Sequence, residues 1–112
     1  MNTAAAALLL LAGAGPSLDP SRAMSCRVES AHNQGTGEPV AIPAAIHHPA
    51  GSLKIEGGFL IREEDVEDAH GRVETAHRIN RQTRRFEATS YRTDHAAGEE
   101  HLIRTTGNCR PG

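Results

Sequence analysis

Val66-Glu67-Asp68-Ala69-His70-Gly71-Arg72-Val73-Glu74-Thr75-Ala76-His77-Arg78-Ile79 reads almost the same twice. Each half holds a Glu and a His three apart, at 67/70 and 74/77, the spacing by which one side of a helix offers two metal ligands. As a helix, the four would lie on one stripe, since positions seven apart differ by about 20° around the axis. A carboxylate-bridged di-iron bundle uses two such units, but on separate helices and with further Glu ligands from two more. As a strand, the stretch from Val73 puts Val73, Thr75, His77 and Ile79 on one face and Glu74, Ala76 and Arg78 on the other. Glu74 and His77 then cannot share an ion. Gly71 separates the halves, prolines stand upstream at 39, 43 and 49, and strand patterning continues downstream. The strand reading prevails and the repeat is coincidence.

Working outward, the downstream sequence is a meander. Asn80 to Arg84 is a turn. Arg85 to Arg92 alternates Phe86, Ala88 and Ser90 with Glu87, Thr89 and Tyr91. Asp94 to Gly98 is a second turn, and Glu100 to Thr106 is a last strand. Upstream, Leu53 to Ile61 is extended and interrupted at Gly57-Gly58, a bulge or tight turn. Val40 to Ile46 contains Pro43, which demotes it to an edge strand or an extended segment. His47 to Ser52 reads as a turn, Ala31 to Pro39 as a loop, and Arg27 to Ser30 as a short first strand. Arg62 to Ala69 is acidic and has no β-branched run, so it is expected as a short helix near 62–70 or as an acidic loop, with Gly71 just past its end.

The chain has 112 residues, the size of one domain. Ala4 to Ala14 is apolar and uncharged, too short for a bilayer span of about 20 residues and suited to the centre of a secretory signal peptide. Small-residue cleavage sites follow at Ala12-Gly13-Ala14 and Ser21-Arg22-Ala23. With the second site, residues 1–23 are the leader and 24–112 a single small β-rich domain with no transmembrane span. Val, Leu, Ile and Phe make up about 17% of residues 24–112, a thin core. A domain so poor in apolar residues needs a staple. Cys26 and Cys109 are the only cysteines, and neither has a Cys or His at metal-ligand spacing. One disulfide is expected, closing about 84 residues, for which the chain-entropy model gives on the order of 4–5 kcal/mol. Leader and disulfide together point to a periplasmic or secreted protein.

Ile79-Asn80-Arg81-Gln82-Thr83 followed by Gly107-Asn108-Cys109-Arg110 resembles small exported proteobacterial proteins of unknown role. These share an I-[DN]-R-x-T-G hairpin, an early Cys after the leader and a closing G-x-C. The likeness covers about 35 residues, and Arg84 stands where that pattern has Gly. It implies a β-rich exported fold and carries over no catalytic residue.

For function, the sequence excludes more than it supplies. It holds no G-x-S-x-G, P-loop, H-E-x-x-H or G-x-G-x-x-G, and no enzyme is expected. Of seven histidines, His47 and His48 are adjacent, and His95 and His101 flank the last turn. Imidazole suits Zn and Cu, so these four form the candidate set for a metal carrier or sensor. No cofactor is expected otherwise. Residues 24–70 carry a net charge of −5 and residues 71–112 of +3. Arg78, Arg81, Arg84 and Arg85, near Phe86 and Tyr91, outline a basic surface. The acidic half cancels it, and nucleic acid is not an expected partner. The acidic 63–68 stretch is expected to lie against these arginines. The leading expectation is thus a mainly β domain, a small antiparallel sheet or meander closed by one disulfide. Its expected role is an exported, non-catalytic binding or envelope-associated protein with an extracytoplasmic partner.

Overall fold

The computed structural model describes residues 17–112. The Ala4 to Ala14 run lies outside the described residues. Seven strands follow one another: β1 Met24–Asn33, β2 Ala45–His48, β3 Lys54–Glu56, β4 Phe59–Glu67, β5 Gly71–Asn80, β6 Arg85–Asp94 and β7 Glu99–Pro111. They form one antiparallel sheet in the order β2-β1-β7-β6-β5-β4-β3. The expected C-terminal meander is present and extends back to β3, so five consecutive strands pair with their neighbours in the chain. Only β1 returns across the chain, to pair with β7. Among the described residues no helix is long and apolar enough to cross a membrane.

The helix considered near 62–70 is not formed: Phe59–Glu67 is β4. Partners across the strand decide this. Asp65 accepts two hydrogen bonds from Arg72 on β5, at 2.9 and 2.6 Å. Glu64 accepts one from His77 at 3.0 Å. Asp65 stands directly opposite Glu74, a like-charge pair that would be unfavourable alone. Arg72 bridges both, at 2.6 and 2.9 Å. The acidic stretch therefore lies against Arg62 and Arg72, not against the arginines of 78–85. Two further boundaries shift. His47 and His48 end β2 instead of forming a turn, and β1 continues to Asn33. The Pro43 segment does behave as edge material: Ala44 and Glu38 carbonyls and the Val40 N–H bond along the outer side of β1.

Alternation sorts one face of the sheet into the core. Met24, Cys26, Leu60, Ile79, Phe86, Ala88 and Cys109 are buried there, joined by Leu18 and Leu53 from the segments before β1 and β3. The sheet curls around this cluster, so that β2, at one edge, meets β4 and β5 near the other. Cys26 and Cys109 face each other directly across β1 and β7 with Cα atoms 3.9 Å apart, and they are bonded as expected. The Cys109 N–H points the other way, to the Arg84 carbonyl, so the pair occupies a non-hydrogen-bonded position where strands approach closely. Two residues before Cys109, Gly107 lets Phe86 lie across β7. A Cβ there would stand 1.9 Å from the Arg27 carbonyl oxygen and 2.5 Å from the Phe86 ring.

One five-residue turn recurs three times. Asn33, Asn80 and Asp94 each accept hydrogen bonds on Oδ1 from the N–H groups two and three residues on. Each carbonyl accepts from the N–H four residues on. That fourth residue is left-handed every time: Gly37 at φ 74°, Arg84 at 66° and Gly98 at 64°. The turn thus asks for glycine, and Arg84 fills it with a side chain.

Candidate functional site

The best-defined polar site is inside the curl. In β2 His47 points out and His48 in, because Met24↔His48 and Ser25↔His47 are successive pairs with β1. On β5, His77 shares the inner face with Ile79; Arg62 stands opposite it on β4, with Glu64 two residues on. His48 and His77 are 1% and 4% exposed. Their rings lie 4.7 Å apart, edge to face. Arg62 Nη1 approaches His48 Nδ1 at 3.2 Å, and a guanidinium only donates. His48 Nδ1 therefore accepts, and its proton sits on Nε2. His77 Nε2 lies 3.0 Å from Glu64 Oε1; a carboxylate only accepts, so this nitrogen donates and Nδ1 keeps a lone pair. Arg62 also reaches Glu64 at 3.2 Å.

The electrostatics keep both rings neutral. Burial, then the His77 and Arg62 charges, lower the His48 pKa to about 4, against a smaller opposing effect of Glu64. His77 is also held below its ordinary value, by burial first, with Glu64 pulling the other way. A cation brought between the rings would meet Arg62. Among the described residues no group of three or more His, Cys, Asp or Glu side chains has the arrangement to hold a metal ion. The cluster is suited to closing the curl by a short polar chain from β2 to β4.

The four histidines of the metal set are not gathered. His47 is exposed on the outer side of β2 while His48 is inside. His95 lies in the exposed turn after β6, its N–H on the His70 carbonyl. His101, on β7 opposite Arg92, sits between Asn33 Nδ2 at 3.2 Å and Glu99 at 3.3 Å. The pairing of His48 with His77 escaped sequence reasoning. The inward phase of His77 was readable; the curl that brings β2 to it was not.

The four arginines also separate. Arg78 stacks on Phe59, its guanidinium carbon 3.8 Å from the ring centre. Arg85 pairs with Glu29 at 3.0 Å. These two line an outer-face groove with Phe59, Glu87 and Arg104, in which the carboxylates offset the charge. Arg81 instead donates to the Leu18 carbonyl at 3.2 Å, and Arg84 holds the left-handed turn position. Tyr91 is elsewhere, in a second groove with Glu63, Asp65, Arg72 and Glu74.

That second groove borders an open edge. β3 covers only Phe59 to Ile61 of β4. The Asp68 N–H bonds Gly71 across the β4–β5 turn, and alternation from there turns the backbone groups of Glu63, Asp65 and Glu67 away from β5. No backbone partner meets them among the described residues. Three acidic side chains flank this ladder, a charge pattern that discourages pairing with another copy.

No protein-family model, curated protein or solved structure matches the chain.

Proposed function

We propose that the chain is an exported, non-catalytic binding protein that works in the periplasm or outside the cell. The observation that carries this reading is the Cys26–Cys109 disulfide between the first and last long strands. Such bonds persist in oxidising compartments, and this one ties together a sheet whose core is small. The site chemistry favours binding over catalysis. The buried histidines are neutral and engaged with Arg62 and Glu64. The surface best suited to a partner is the free edge of β4. An extended segment could add there as an eighth strand, by main-chain hydrogen bonding. The Glu63, Asp65 and Glu67 side chains would select a basic one.

Two measurements test the reading. Produced with its full sequence in a secreting bacterial host, the protein is expected in the extracytoplasmic fraction, with no free thiol until reductant is added. Recovery in the cytosol with both thiols free would reject export. In solution, an alternating lysine–valine peptide is expected to shift the amide resonances of Glu63, Asp65 and Glu67. A glutamate–valine peptide of the same length is expected not to. Stabilisation by micromolar Zn or Cu instead would favour the histidine carrier.

A further inference from the structure

The segment before β1 is built into the domain. Leu18 is 2% exposed and packs in the core cluster with Met24, Cys26, Ile79 and Phe86. Its N–H donates to the Arg81 carbonyl at 3.2 Å, and its own carbonyl accepts from Arg81 Nε at 3.2 Å. Next to it, Gln82 donates to the Ser17 hydroxyl. The Pro20 carbonyl accepts from the Gly51 N–H, and the Ala23 carbonyl from Gly112, each at 3.1 Å. The 80–84 turn therefore works as a clamp. Asn80 shapes it, Arg81 and Gln82 grip residues 17 and 18, and Leu18 plugs the mouth of the curl.

We propose that residues 17–23 belong to the mature protein and that leader removal falls at Ala12-Gly13-Ala14, leaving Gly15 as the first residue. This rests on the export reading above. Both sites offer the small residues that leader cleavage requires. Cutting after Ala23 would remove the plug and strip Arg81 of both its backbone partners in the segment. Cutting after Ala14 leaves every one of these contacts in place. The proposal also gives the arginine of the I-N-R-x-T hairpin a task, to seat the lead-in segment.

The test is the intact mass of the native protein recovered from the extracytoplasmic fraction. A chain beginning at Gly15 is expected. An exported chain beginning at Met24 overturns the proposal while leaving export standing. A full-length chain confined to the cytosol overturns export, and the cleavage site with it. The plug is read separately in the chain that begins at Gly15. Leu18→Ala is expected to lower the melting midpoint by several degrees, and Leu18→Val by less. An unchanged midpoint in both variants would show that the segment is not part of the fold.

Discussion

The two ends of the sheet are held by different physics. At the stapled end, Leu18, Met24, Leu60, Ile79 and Phe86 are buried around the disulfide. At the far end, where β4 turns into β5 and β6 into β7, the strands run on with little to enclose. Val66 is 59% exposed and Leu102 42%. What holds them is the backbone ladder and exposed ion pairs such as Arg72 with Asp65 and Glu74. Apolar burial is the stronger and less salt-sensitive of the two forces. Length of strand is therefore a poor guide to where a sheet is stable. The position of plugs such as Leu18 and Leu53 is a better one.

The most severe way to break this contrast is to open the staple. Reducing the disulfide, or replacing Cys26 and Cys109 by Ala, is expected to cost up to about 4–5 kcal/mol, read as a fall in the urea midpoint. Acid should act next, again on the stapled half. The unfolded chain protonates His48 near its ordinary 6.5, whereas the folded chain does so only near 4. The stability tied to this neutral ring is complete above pH 6.5 and is lost as pH falls toward 4. The loss is about 3 kcal/mol, and His77 adds to it in the same direction. Urea midpoints at pH 7 and pH 4 measure it, and His48→Gln should flatten the difference. Gly107→Ala, which drives a methyl group into the Arg27 carbonyl and the Phe86 ring, is expected to cost about 1–3 kcal/mol by overpacking. Arg84→Gly should stabilise by about 0.5–1 kcal/mol, by releasing the left-handed strain; an unchanged or lowered midpoint would show that the side chain offsets that strain. The smallest effect belongs to the far end. Arg72→Ala should leave the melting midpoint nearly unchanged while hydrogen exchange speeds up between 65 and 74. Exchange accelerated equally along the whole sheet would mean that the two ends open together.

How much of this was legible follows the range of the interactions. The β5–β7 meander was readable because its signals are local: alternation in Arg85 to Arg92, and the Asn80 and Asp94 turns. The disulfide was readable because only two cysteines exist. The acidic stretch misled, since its strand conformation is supported by Arg72 and His77, groups on the next strand that no local rule supplies. The packing of residues 17–23 against the sheet was not readable, because nothing near Leu18 reveals that Arg81, 63 positions on, receives it. For the interior site, the phase of His77 was visible but its neighbour His48 was not, because the curl is a property of the whole sheet. The arginine cluster looked like one surface in the sequence. In the fold it divides between the outer face and the 80–84 turn.

The order of strands has a consequence for how the molecule assembles. Strands β3 to β7 join neighbours through short turns and can zip up one hairpin at a time, whereas β1 must wait for β7, the element laid down last. Distant pairings of this sort form slowly. Until β7 is in place, Cys26 has no correctly positioned thiol to meet. Oxidation of the thiols should therefore keep time with docking of the first strand, and the two sulfurs serve as a clock that stops when assembly is complete.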